Sequence, residues 1–414
     1  MFKDGRRKAG GERWYTGRLR GILLYALGAG AILLSIGVYG EFLSGMLGRI
    51  STEDMDIHAD FNTFWRSADA YRYGRDLYST GARLVNLNPP LWTILISPLA
   101  FLDPIVAYRI FTQLTLVTVV GYVVWLTRRL NITGGWAATA TAMVLVSSPV
   151  LGTLALGQIY AFLTLGLVAA WLLERRGLTV ASGLVLGVTI ALKPSLLPLV
   201  LWPLLRGRWK HLLSTLGGGA GATLFAALVA GFGATFEWLR LLSDSPLNTY
   251  WDNASLPSAA ARLFTENQFA TNLTELPFLV KVAYGLGVVA VVLSAWLSRR
   301  DPELGFWAIV AASLIVAPIA WHNYLMLLVP GVFLLLHRKR YAAAFFLLAL
   351  QIIPPQWPLI WQEDTKLAAV MLSLYAAILV IHWAFLLPLK KRGSGEENPA
   401  SGAPASQEHL RRPA

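Results

Sequence analysis

The chain has 414 residues, 56% hydrophobic and 14% charged, with a mean hydropathy of +0.55; soluble domains carry about 25% charged residues, so a soluble fold is excluded. The formal net charge of +12 comes from Lys and Arg in short loops between apolar runs, the positive-inside pattern of membrane proteins, and no nucleic acid is expected as a partner. There are no cysteines, which rules out disulfides, thiol catalysis and cysteine metal sites.

In chain order, residues 1–20 form a basic arm carrying Lys3, Arg6, Arg7, Lys8, Arg13, Arg18 and Arg20, which places it in the cytoplasm. The apolar run from Gly21 to Leu43 is too long for a signal-peptide core and lacks a clear A-x-A site, so it reads as an uncleaved first helix. The later basic clusters are Arg128-Arg129, Arg175-Arg176, Arg206/Arg208/Lys210, Arg299-Arg300, Arg338-Lys339-Arg340 and Lys390-Lys391-Arg392. Placing them all on one side yields an all-α polytopic membrane protein with about twelve transmembrane helices and both termini inside. The expected helices fall near 21–44, 105–127, 136–153, 159–173, 178–192, 195–205, 212–232, 277–297, 303–320, 322–336, 341–360 and 367–389. Residues 21–389 make the transmembrane domain. Residues 390–414, rich in Gly, Ser, Pro and Ala, read as a disordered cytoplasmic tail. Two long loops are left outside, about 43–104 and 233–276. The apolar stretch 89–102 is too short to span and reads as re-entrant or interfacial, and 178–205 reads as two short spans or a re-entrant hairpin.

In the first loop, Phe61, Phe64, Trp65, Ala68 and Tyr71 recur at near-helical spacing, which predicts an interfacial amphipathic helix over 59–73. Asp60 opens it. Two readings stand: a helix N-cap, and a catalytic base at the lipid–water boundary. They do not exclude each other. Asp56 is the competing acid one turn earlier. Lys193 lies within the apolar run Leu178–Leu205, where a lysine at bilayer depth costs about 2.5–3.5 kcal/mol. Pro194 disfavours helix at the residue before it, so the chain must turn there towards water or an anionic ligand. The alternative is a lysine snorkelling to headgroups. Gln158, Asn253, Arg262 and His322 are further polar residues expected on the same side. Their bland readings are helix-end satisfaction for Gln158 and Asn253, an interfacial anchor for Arg262 and a helix cap for His322.

Several stretches, in order, carry a family resemblance. They are Asp60-Phe61 with Gly74 and Leu77-Tyr78, Asn88-Pro89-Pro90 with Ser97-Pro98-Leu99, and Gly157-Gln158. Further on come Lys193-Pro194 with Leu205-Arg206-Gly207-Arg208-Trp209, Asn253-Ala254-Ser255-Leu256 with Ala261-Arg262-Leu263, and Trp321-His322-Asn323-Tyr324. Together they resemble glycosyltransferase family 87, bacterial GT-C enzymes similar to polyprenyl-phosphate-mannose-dependent α-mannosyltransferases. The resemblance spans about residues 55–335. It departs at Leu87-Asn88, where the family often has a tyrosine-like residue before the double proline.

The resemblance implies the GT-C fold, a location in the bacterial cytoplasmic membrane, and transfer on its outer face. A sugar, mannose by analogy, passes from a polyprenyl-phosphate donor to a lipid-linked or cell-envelope glycan. The general-base role carries over to Asp60. Lys193, Arg262 and His322 are expected at the leaving phosphate, and Asn253 and Gln158 at sugar hydroxyls. Asn88 and Asp56 complete the expected substrate-binding set. Asp54-Met55-Asp56 has the D-x-D form but precedes the motif helix, no His, Asp or Glu cluster has metal-ligand spacing, and a lipid monophosphate has no diphosphate to neutralise. Neither metal nor cofactor is expected. The alternatives are a transporter or flippase of a glycolipid or polyprenyl-linked substrate, another GT-C activity such as an arabinosyltransferase or glycan ligase, and a non-catalytic scaffold.

Overall fold

A computed structural model of the chain describes residues 5–245, 247–354 and 365–389. The regular elements among the described residues are all helical, and the one β-type pairing among them is the isolated antiparallel bridge between Asn253 and Trp321. The α-helices are α1 (Gly5–Ser51), α2 (Ala59–Arg72), α3 (Pro90–Ile96), α4 (Pro104–Arg129), α5 (Gly134–Leu145), α6 (Ser148–Leu156), α7 (Tyr160–Arg175), α8 (Thr179–Leu192) and α9 (Leu201–Leu205). They continue as α10 (Trp209–Ala230), α11 (Phe232–Asp244), α12 (Leu256–Phe264), α13 (Phe278–Leu297), α14 (Pro302–Val316), α15 (Val329–His337), α16 (Tyr341–Leu350), α17 (Lys366–Leu372) and α18 (Leu374–Leu386). Three 3-10 segments intervene, at Ser97–Phe101, Pro194–Val200 and His322–Leu328. The expected tail 390–414, and the end of the helix expected over 341–360, lie outside the described residues.

Five helical stretches are long and apolar enough to cross a membrane, or six if α5 and α6, bent by 44° at their junction, act as one. The chain is therefore a multi-pass, all-helical membrane protein. Most of the other spans expected from sequence are shorter apolar helices here. The chemistry at their breaks is local. Lys193-Pro194 ends α8 and opens a 3-10 segment. Pro149 sits in the first turn of α6, after the extended N-cap Ser147; proline is tolerated there and disfavours continuation of the helix from before it. Pro318 lies in the irregular linker between α14 and His322.

The centre of the molecule is α14 together with the run from His322 to Leu336. Leu304–Ile315 and all of His322–Leu336 are buried. A helix apolar on every face belongs inside a bundle. Around this hub α8 and α10 cross at backbone contact. A Cβ on Gly187 would stand 2.1 Å from Thr215 O, and one on Gly218 2.6 Å from Leu184 O. Small residues admit this approach, the usual basis of helix association in lipid.

Basic residues of the described loops converge on one end of the bundle. Arg338 pairs with Asp301 and Glu303, and Arg175 pairs with Glu303 at 2.9 Å. Arg208 pairs with Glu174 at 2.9 Å, Arg299 donates to Leu205 O, and His337 Nδ1 lies 2.7 Å from Leu130 O. α7 runs from this end to Tyr160, and α8 runs from it to Lys193. Fourteen residues of α8 separate the two ends by roughly 21 Å.

Candidate active site

At the end of the bundle opposite the basic clusters, four separate stretches meet. The first is the start of α2. Phe61, Phe64 and Ala68 are buried, Trp65 and Tyr71 are half-buried, and Tyr73 is exposed, so the expected amphipathic helix is present. His58 occupies the N-cap position without a side-chain cap bond. Its ring stacks on Tyr108 at 3.5 Å and its Nδ1 lies 2.8 Å from Ala155 O. Asp60 is thus one residue inside the first turn and is not the cap.

The second stretch is Gly157-Gln158, between α6 and α7. Gly157 has φ of +70°, and Gln158 N donates to Thr153 O at 2.9 Å, the six-to-one bond of a Schellman ending. The close turn seats Phe61 directly on Gly157, where a Cβ would stand 2.5 Å from Phe61 Cβ. This contact brings the buried Gln158 to Asp60, whose carboxylate it hydrogen-bonds.

The third is the α8 ending. Lys193 Nζ donates to Tyr324 Oη at 2.8 Å and lies 4.7 Å from that ring's centroid and 5.7 Å from that of Tyr160. The two tyrosine rings are 4.1 Å apart. Two aromatic faces and a phenol oxygen hold the ammonium in place. That arrangement differs from a lysine reaching for headgroups.

The fourth is the stretch Tyr250–Ser258 against Ala320–His322. Ala254 N donates to Ala320 O, and His322 N donates to Asp252 O at 3.1 Å. The Asn253 amide ties the pair together. Its Nδ2 donates to Asn248 O and Pro318 O, and its Oδ1 accepts from Ser255 N and Ala320 N. Arg262, fully buried, sends Nη1 to Tyr250 O and Ser258 Oγ and Nη2 to Asn253 O, each at 2.8 Å. Burial lowers its guanidinium to about 10, against the opposing pull of Asp252. Arg262 and Asn253 therefore act on the backbone around residue 252. His322 Nδ1 meets Asp252 Oδ2 at 2.5 Å.

Asp60 is half-buried. Loss of solvent raises its carboxyl to about 6, the Gln158 hydrogen bond opposes this, the negative charge of Asp252 adds to it, and the Lys193 cation opposes it. The site thus joins Asp60, Gln158, Lys193, His322 and Asp252. The other residues expected there lie elsewhere. Asp56 is exposed in the turn before α2. Asn88 is buried, its Nδ2 donating to Asn86 Oδ1 and its carbonyl accepting from Tyr78 Oη. Among the described residues no group of three His, Asp or Glu is placed to hold a metal ion.

A cavity of about 330 Å³ lies against Ile190 and Pro194, on either side of Lys193 in the chain. Its walls include Pro89, Pro90, Ile190, Pro194, Leu216 and Trp238. They are nearly all apolar. Trp238 Nε1 donates to Leu87 O, which fastens α11 over the double proline.

The family model described as glycosyltransferase family 87 matches residues 86–320, more than half of the chain. The chain belongs to glycosyltransferase family 87. It is a membrane glycosyltransferase, which decides between the enzyme and the transporter read from sequence. Its relatives include the polyprenol-phosphate-mannose-dependent alpha-(1-2)-phosphatidylinositol mannoside mannosyltransferase of Mycobacterium tuberculosis. That protein is 28% identical over 365 residues, 78% of this chain and 82% of the relative. A protein of the same description from Mycolicibacterium smegmatis is 26% identical over 332 residues, 69% of this chain and 70% of the relative. An alpha-(1->3)-arabinofuranosyltransferase of Mycobacterium tuberculosis is 30% identical over 174 residues, 40% of each chain. No solved structure matches. The family match contains Lys193, Gln158, Asp252 and Arg262, and stops short of Asp60 and His322.

Asp252 and Tyr160 were not singled out in the sequence, and Tyr324 entered only as part of a motif. Asp252 stands one residue before Asn253 in a loop that also holds Asp244 and Glu266. Nothing in the local pattern marks it as the buried acid among them.

Proposed function

We propose that this family 87 enzyme moves a sugar from a polyprenyl-phosphate donor to a hydroxyl of a lipid-linked or cell-envelope glycan. The sugar is mannose, as in the names of the two relatives that align over most of the chain. The reaction takes place at the outer face of a bacterial cytoplasmic membrane, with inversion at the anomeric carbon. The observation that carries this reading is an aromatic-held cation, Lys193, whose charge acts on a half-buried carboxylate, Asp60, with an apolar cavity against the adjacent Pro194. That set matches an amphiphile with an anionic head and a hydrocarbon tail.

In the reaction the acceptor oxygen attacks the anomeric carbon while its proton passes to Asp60. The bond from that carbon to the phosphate oxygen breaks, and the electron pair leaves with the polyprenyl phosphate. A carboxyl lifted to about 6 is ionised at neutral pH and more basic than a solvated aspartate. Lys193 offsets the growing phosphate charge in a water-poor site, where such a group acts most strongly. Arg262 and Asn253 serve by fixing the loop that carries Asp252. The lipid chain lies in the cavity lined by Pro89, Pro90 and Pro194.

The test supplies the purified protein in nanodiscs with polyprenyl-phosphate mannose and a bacterial glycolipid extract. Labelled mannose should appear in an extended glycolipid, and Asp60→Asn should abolish it. Transfer from polyprenyl-phosphate arabinofuranose alone would move the sugar assignment. Transfer from no polyprenyl-phosphate sugar would sink the reading.

A further inference from the structure

Asp252 has no part in the bond-making scheme above, yet the fold holds it more tightly than any other acid near the site. Arg262 grips the carbonyls of Tyr250 and Asn253 on either side of it, and the Asn253–Trp321 bridge fixes the backbone it stands on. His322 Nδ1 holds Oδ2 at 2.5 Å. The remaining oxygen, Oδ1, is buried and has no partner among the described residues, in a residue 8% exposed. A buried carboxylate oxygen without a donor is costly, so such an oxygen calls for a partner.

His322 does not compete for that partner. Its Nε2 faces α6, where a Cβ on Gly152 would stand 2.7 Å from it, and its ring meets Tyr375 edge to face at 5.5 Å. The imidazole is wedged, with Nδ1 as the donor that aims Asp252.

We propose that Asp252 is a second substrate-binding acid, whose Oδ1 accepts a hydrogen bond from a hydroxyl of the transferred sugar. The inference rests on the glycosyltransferase reading above. The transferred ring must bridge Asp60 and Lys193, because its anomeric carbon lies between base and leaving group. Asp252 is bonded to His322, two residues before the Tyr324 that holds Lys193, and its charge bears on Asp60. The free oxygen is therefore at the flank of that ring, where sugar hydroxyls stand. Asp60 and Asp252 then divide the work of two carboxylates, one taking the acceptor's proton and the other gripping the donor sugar.

The experiment compares polyprenyl-phosphate mannose with a series of donors each lacking one mannose hydroxyl. In the wild-type protein, one deoxy donor should lose about 10–100-fold in kcat/KM, the range for a hydrogen bond to a charged group. In Asp252→Ala that donor and the parent should react at equal rates, while the other deoxy donors keep their wild-type ratios. Asp252→Asn keeps an acceptor oxygen without the charge and should discriminate to an intermediate degree. It also serves as the reading if the alanine variant does not fold. A purely structural role would lower all rates together and leave every ratio unchanged, which overturns the proposal while the glycosyltransferase reading stands. A wild-type protein that neither transfers from these donors nor is thermally stabilised by them overturns both.

Discussion

Lys193 Nζ and Tyr324 Oη are 2.8 Å apart, though 131 residues separate them in the chain. One comes from the end of α8, the other from the buried 3-10 segment His322–Leu328 at the hub of the bundle. The contact fixes a flexible cation to the buried hub of the molecule. Lys193→Met should therefore lower turnover by about 10²–10³-fold, as loss of a preorganised electrostatic group does. Because the lysine also holds the Asp60 carboxyl down, the acid limb of the pH–rate profile should move upward in the same variant. Lys193→Arg keeps the charge but brings a planar fork, and should retain part of the rate. Full activity of Lys193→Met, with the limb in place, would reduce the residue to an anchor.

Asp60 makes a prediction with two opposite signs. Its carboxyl is raised from 3.8 to about 6, and only the ionised form can take a proton. The rate should fall about tenfold per pH unit below pH 6. Stability runs the other way. A raised carboxyl means the folded state binds the proton more tightly than the unfolded state. That contribution is fully present below about pH 4 and is lost as pH rises through 6. Asp60→Asn carries no such charge at any pH. At pH 7.5 it should be more stable than wild type by something on the order of 1–3 kcal/mol, discounted for partial exposure. At pH 4 the two should melt together. Its transfer activity should be absent throughout, while Asp56→Asn keeps most of its rate. A dead Asp56→Asn beside an active Asp60→Asn would move the base one turn upstream.

The helical, multi-pass class was legible from composition, and the amphipathic α2 from aromatic spacing. The break at Lys193-Pro194 was legible because a lysine is costly at bilayer depth and a proline disfavours helix at the residue before it. What the pattern did not reveal is tertiary. Hydropathy sees Gly134–Leu156 as one apolar run, but Pro149 divides it into α5 and α6 at 44°. Arg262 reads as a phosphate ligand because it is basic and close to the motif, whereas its nitrogens go to the backbone of Tyr250 and Asn253. Asp252 acquires its meaning only from His322, which lies 70 residues away.

The orientation of the bundle is testable because the chain has no cysteine. Ser79 and Ser245 are exposed, at the end that carries Asp60. Cysteines placed there should react with an impermeant maleimide on intact spheroplasts. A cysteine at Ser401, in the tail beyond the described residues, should react only after lysis. The expectation comes from the convergence of Arg175, Arg208 and Arg338 on the other end, since basic ends stay in the cytoplasm. The reverse labelling pattern would put the site on the cytoplasmic face and remove the proposed outer-face reaction.

Gly157 should tolerate no side chain, and for two separable reasons. Its φ of +70° lies in the left-handed region, which costs other residues about 1–2 kcal/mol. Its hydrogen also faces Phe61 Cβ, where an added carbon would approach to 2.5 Å. That atom sits next to the backbone of α2 and cannot swing aside. Gly157→Ala should therefore push α2 away from the α6–α7 turn and part Asp60 from Gln158. The expected result is a lower melting temperature together with a loss of kcat exceeding the loss of folded protein. Asn tolerates the left-handed region far better than Ala but carries the same Cβ. If the contact with Phe61 dominates, Gly157→Asn should be as impaired as Gly157→Ala. If Asn restores both melting temperature and turnover, the backbone angle alone requires glycine, and the Phe61 contact is not what holds Asp60 in register.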